Sequence, residues 1–107
     1  MSKFANVVTI EVVPGRRDQV VTLLLAHKAR LKDEPGTLQF EVLLPRDEDA
    51  TVRIYEMYRD AAAFKVHLNG PSLAQWKKDT AGMVVKLQGV RCAVVDEPVR
   101  KPAPTDR

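Results

Sequence analysis

Along the chain the apolar positions recur either every second residue or every three to four, and each change of period marks a new element. Residues 6–13, Asn-Val-Val-Thr-Ile-Glu-Val-Val, are β-branched and stop at Pro14-Gly15, which predicts a strand closed by a turn. From Arg17 to Lys32 the residues Val20, Leu24, His27 and Leu31 form the stripe that a helix presents to a core. Glu34-Pro35-Gly36 ends that helix, because Pro turns the residue before it away from helical dihedrals. Thr37 to Leu44 alternates, with Leu38, Phe40, Val42 and Leu44 on one face and Gln39 and Glu41 on the other. The polar run Pro45-Arg46-Asp47-Glu48-Asp49 and the β-rich stretch Thr51 to Tyr58 complete an antiparallel hairpin. Asp60 is placed to cap a short helix through Leu68, which Asn69-Gly70-Pro71 interrupts. Ser72 to about Val85 reads as a second helical piece with Leu73, Trp76, Thr80 and Met83 on one side, and Gln88 to Val95 as a last strand.

The order is βαββαβ, a ferredoxin-like α+β fold with an antiparallel sheet and its helices on one face. The first strand carries Val8, Ile10 and Val12 on one side and Val7, Thr9 and Val13 on the other, while Tyr55 and Met57 lie opposite Val52 and Ile54. Helices cover one side only, so the second apolar side needs a cover, and a second copy packing sheet to sheet supplies one. A homodimer is expected. Residues 1–95 form the single domain, and 96–107, with three of the seven Pro and no apolar period, form a tail expected to be disordered.

Composition excludes several classes. At 107 residues the chain holds one core, and a thin one. The N-terminus has no long apolar stretch, so neither a leader nor a membrane span is expected. One Cys, Cys92, makes no internal disulfide and belongs to no metal cluster, which points to the cytoplasm. Seventeen basic residues against 14 acidic give +3, but the bases are scattered beside acids and not interleaved with aromatics, so no nucleic-acid partner is expected.

Three residues could carry chemistry because they are polar or aromatic on surfaces that otherwise read as buried. Asn6 shares a strand face with Val8, Ile10 and Val12, and its amide both donates and accepts; it could equally bond local backbone. His67 follows Phe64 by one helical turn at the end of the short helix; there it is either a hydrogen-bonded core histidine or, facing a cavity, a general base. Trp76 is a core residue or the planar wall of an aromatic site. His27 is a weaker candidate, placed among Leu24 and Leu31.

The stretch Val52-Arg53-Ile54-Tyr55-Glu56-Met57-Tyr58-Arg59-Asp60, then Ala63-Phe64-Lys65-Val66-His67-Leu68 and Trp76, resembles the "YE-x-Y-x-D…AF-x-x-HL" core of the antibiotic biosynthesis monooxygenase domain family. Val13-Pro14-Gly15, Glu34-Pro35-Gly36 and Phe40 fit it too, and the resemblance covers roughly residues 5 to 95. It implies a dimeric α/β barrel with a pocket between sheet and helices, where some members oxidise quinols or polycyclic phenols with O2 and without metal or flavin cofactor. His67 would then deprotonate a bound small aromatic substrate, and Asn6 would hydrogen-bond the anion. Trp76 and Phe64 would confine it, with Tyr58 as a further substrate contact. Other members cleave haem, using an Asn, a Trp and a His, but here His67 precedes Trp76, the reverse order. Many members also carry a His in an "S-P-H-F"-like segment, where this chain has Gly70-Pro71-Ser72-Leu73. Two other readings remain open: a non-catalytic dimeric small-molecule binding or stress-related protein, and an isomerase of a phosphorylated carbonyl compound using Lys65, Arg59 or Lys77.

Overall fold

The computed structural model describes residues 2–95. Its elements are β1 (Phe4–Val12), α1 (Arg17–Arg30), β2 (Thr37–Leu43), β3 (Thr51–Tyr58), α2 (Ala61–Leu68), α3 (Pro71–Asp79) and β4 (Val84–Ala93), with a 3₁₀ turn at Leu31–Asp33. The tail expected at 96–107 lies outside the described residues. The strands form one sheet in the order β2-β3-β1-β4 with every neighbouring pair antiparallel, the ferredoxin-like α+β arrangement that the βαββαβ order predicts.

Strand parity sorts the residues as expected. Val8, Ile10 and Val12 of β1 and Val52 and Ile54 of β3 face the helices, and meet Val20 and Leu24 of α1, Leu31, and Trp76 of α3 in one core. The whole stripe of Val20, Leu24, His27 and Leu31 is buried. Each such apolar side chain contributes about 1.5–3 kcal/mol, so this small cluster is the main force holding helices to sheet. Asp60 caps α2, its side chain accepting from the Ala63 amide at 2.8 Å. The break after α2 follows from Gly70-Pro71: Gly70 is extended at the N-cap of α3, and Pro71 occupies the first turn, where its missing N–H has no helical partner to lose.

Two local expectations differ from what is observed. A bulge between Thr37 and Gln39 resets the alternation of β2, so Leu38 is exposed while Phe40 and Val42 keep the inner face. Leu44, beyond the strand end, is exposed as well. The helix expected to run to Val85 stops at Asp79, because the chain turns through Gly82 at φ 83°, a left-handed conformation that β-branched or bulky residues avoid. Val84 and Val85 consequently begin β4, four residues before the Gln88 start expected.

The outer face of the sheet carries an apolar row. Val7 pairs with Tyr55 on one side and Val90 on the other, with Met57 in the adjacent row. Val7 and Val90 are 40% and 58% exposed, since the helices lie against the opposite face. Among the described residues no helix is long and apolar enough to cross a membrane.

Candidate functional site

Strand parity that sends Val8 and Ile54 inward also sends Asn6 of β1 and Glu56 of β3 to the helix face, and the α2–α3 break lets His67 and Trp76 approach it from two helices. Between them lies a cavity of about 120 Å³. Its walls are Val8, Leu24, Phe40, Ile54 and Leu73; its polar lining is Asn6, His27, Glu56 and His67 with Trp76; and the exposed residues Leu68, Lys77 and Leu87 mark its rim. Of the cations weighed above for a phosphorylated ligand, Lys77 alone lines this cavity.

His67 is 2% exposed, and its Nδ1 lies 2.9 Å from Glu34 Oε1, which also accepts from Thr37 Oγ1 at 3.3 Å. Its ring lies 5.3 Å from the rings of both His27 and Tyr58 and 6.5 Å from Phe40, an aromatic enclosure. Glu34 reaches this position across Gly70, where a Cβ would lie 2.9 Å from Glu34 Oε2. A carboxylate on Nδ1 fixes the tautomer of an imidazole and supports its protonated form, the arrangement a general base requires.

Behind the cavity, Glu56 Oε1 accepts from Tyr58 Oη at 2.6 Å and from Asn6 Nδ2 at 3.3 Å. Burial raises the Glu56 pKa above 4.5, opposed by the Tyr58 hydrogen bond, His67 and Asn6. Burial and the neighbouring Glu56 charge push Tyr58 well above its ordinary value, so it stays a donor. Phe64 packs against Tyr58 and Phe4, with Arg91 over its ring at 5.2 Å, in a second small cluster beside the cavity and not on its lining. Of the residues singled out from sequence, the structure thus gathers Asn6, His67 and Trp76 around one void, with Tyr58 touching it through Glu56.

His27 takes a larger part than its place among leucines suggested. Its Nδ1 lies 2.7 Å from Ser72 Oγ, and burial, then His67, then Arg30 lower its pKa to about 4, so it is neutral near pH 7. Gly89 of β4 has a role that sequence reading missed: a Cβ there would lie 2.7 Å from Asn6 Oδ1. Gly89→Ala is expected to displace the Asn6 side chain and to destabilise the fold by about 1–3 kcal/mol through overpacking. The check is a lowered Tm together with movement of the Asn6 side-chain amide resonances.

The family model described as Antibiotic biosynthesis monooxygenase matches residues 3–79. The chain belongs to the antibiotic biosynthesis monooxygenase family. Every cavity residue except Leu87 falls within the matched span of this family. No curated protein matches the chain. Among solved structures, a candidate antibiotic biosynthesis monooxygenase from Nitrosomonas europaea superimposes with a TM-score of 0.83 at 17% identity, over 89% of this chain and 92% of that one. One from Caulobacter crescentus CB15 gives 0.83 at 18%, with the same coverages of 89% and 92%. Another, from Bacteroides thetaiotaomicron, gives 0.80 at 25%, over 94% and 95%. At such identities the structures carry the fold of the antibiotic biosynthesis monooxygenase family and not a substrate.

Proposed function

We propose that the protein is a cofactor-independent monooxygenase that oxidises a small quinol or phenolic aromatic compound with O2, acting as a homodimer in the cytoplasm. The observation that carries this reading is the His67–Glu34 pair at 2.9 Å on the edge of a largely apolar cavity. His67 takes the proton of the bound hydroxyl, and Glu34 balances the charge that the ring acquires. The electron-rich phenolate passes one electron to O2, the two radicals join at a C–H carbon of the ring, protonated His67 returns its proton to the resulting peroxide, and loss of water, which takes the hydrogen of that carbon, leaves a new carbonyl there. One oxygen atom enters the product and the other leaves as water. A dry, apolar enclosure favours the transfer because it shields the radical pair from solvent. Dimerisation is supported by the bare row of Val7, Tyr55 and Val90, which a second sheet would cover.

Oxygen uptake over a panel of hydroquinones, with ¹⁸O2 and mass analysis of products, tests the activity: one labelled oxygen per product is expected. Binding without uptake across the panel would instead assign a non-catalytic small-molecule binding protein. Light scattering at micromolar concentration should give twice the chain mass, and a monomer would refute the dimer.

A further inference from the structure

Among the described residues, Glu56 is the one acid that lines the cavity, and no step of the oxidation above employs it. A carboxylate set 5% exposed beside apolar walls costs free energy unless it is paired. Its donors are Tyr58 Oη at 2.6 Å and Asn6 Nδ2 at 3.3 Å, and both fall on Oε1. Oε2 accepts from no described residue. It is nevertheless not one of the fully buried unpaired atoms, which are Asn6 Oδ1, His27 Nε2 and Trp76 Nε1, so it keeps accessible surface. The space that Glu56 borders is the cavity. Tyr58 and Asn6 thus tie down one oxygen of the carboxylate and leave the other open to whatever the cavity holds.

We propose that Glu56 is a second catalytic base, which dehydrates a secondary hydroperoxide held in the cavity to a ketone and water. Loss of water from such a peroxide needs a base at the C–H carbon. His67, having protonated the peroxide, is committed to the oxygen end of the O–O bond, so the carbon end calls for a group of its own. Glu56 takes the proton of that carbon, and the C–H electron pair becomes the second bond of the new carbonyl. The O–O bond breaks, and the departing hydroxide takes the proton from the Glu56 carboxyl, which gives water and restores the carboxylate. Burial raises the Glu56 pKa and so strengthens the base. Tyr58 and Asn6 act as positioning residues. The assignment rests on the reading above in taking this cavity as the site, but the step itself consumes no O2.

A supplied hydroperoxide therefore tests it apart from oxygen chemistry. An apolar cavity of about 150 Å³ holds benzene, and this one is about 120 Å³ with an open rim, so a single six-membered ring is the right scale. The full chain is expected to convert cyclohex-2-enyl hydroperoxide to cyclohexenone, and to do so more slowly when the hydrogen on the peroxide-bearing carbon is deuterium, a measurement that needs no variant. Glu56→Gln keeps an acceptor for Tyr58 and Asn6, and should lower conversion by about 10²- to 10⁴-fold. Glu56→Asp retains a carboxylate and should recover part of that loss. Tyr58→Phe removes the 2.6 Å donor but leaves the base, so its loss should be much the smaller, whereas a merely structural Glu56 would make the Gln and Phe variants alike. Given a hydroquinone and O2, Glu56→Gln should still take up oxygen but release hydroperoxide in place of the carbonyl product. No conversion by the wild type, no deuterium effect, or conversion at the wild-type rate by a folded Glu56→Gln protein would each overturn the proposal. Conversion without oxygen uptake on any hydroquinone removes the monooxygenase reading and leaves the dehydration; uptake with the same carbonyl product formed equally fast by Glu56→Gln does the reverse.

Discussion

In a His67→Ala variant, oxygen uptake on a hydroquinone is expected to fall by about 10²- to 10⁴-fold, the usual contribution of a positioned general base. The reason is local. The ring lines the cavity, it is enclosed by His27, Phe40 and Tyr58, and its Nδ1 is committed to Glu34, so deprotonation of a bound hydroxyl falls to its other nitrogen. Glu34→Gln keeps a hydrogen-bond acceptor beside Nδ1 but removes the negative charge that stabilises the protonated ring, and a smaller fall is expected. Removing the imidazole leaves a hole beside the cavity, so added imidazole should restore part of the lost rate in His67→Ala and none in Glu34→Gln. Circular dichroism separates lost chemistry from lost folding. Undiminished uptake in a folded His67→Ala protein would remove His67 from the mechanism.

The fold was legible because its signals are local and repeated. Alternation in β1 and β3, the stripe of α1, the Asp60 cap and the Gly70-Pro71 break each depend on neighbours within a turn or two, and each is observed. The errors arose where a single residue resets the geometry: the bulge after Thr37 turned Leu38 outward, and the left-handed Gly82 ended α3 early. The candidate site divides in the same way. Asn6 and Trp76 were flagged by face, and both line the cavity together with His67. Glu56 could have been flagged as well, since it shares the face of Ile54 and Tyr58, and a carboxylate on a core face needs donors. Glu34 gave no such sign. It sits in a turn and meets His67 only through a contact spanning 33 residues, as Ser72 meets His27 across 45. Pairings of that kind come from the assembled tertiary structure, and no periodicity encodes them.

Acid is expected to weaken the fold through His27. Its pKa is about 4 in the folded protein, against an ordinary 6.5, because burial, His67 and Arg30 all disfavour the charged ring. Below pH 6.5 the unfolded chain binds a proton here that the folded chain refuses, so stability falls as the pH drops and stops falling below about pH 4. Across that window the loss from this one residue is roughly 3 kcal/mol, a large part of the margin of a small domain. Glu56 has the opposite sign: its raised pKa makes the unfolded chain release a proton first, so its contribution declines as pH rises above 4.5 and partly masks His27 there. The His27 loss itself is steepest midway between 6.5 and 4 and flattens as the pH approaches 4. Urea unfolding of the wild type and of His27→Gln at pH 7, 5.5 and 4 isolates the effect, because surface carboxylates contribute alike to both proteins. The two stability curves should converge toward pH 4 as the wild type loses its advantage. Parallel curves would mean that His27 is protonated in the folded protein as readily as in the unfolded chain.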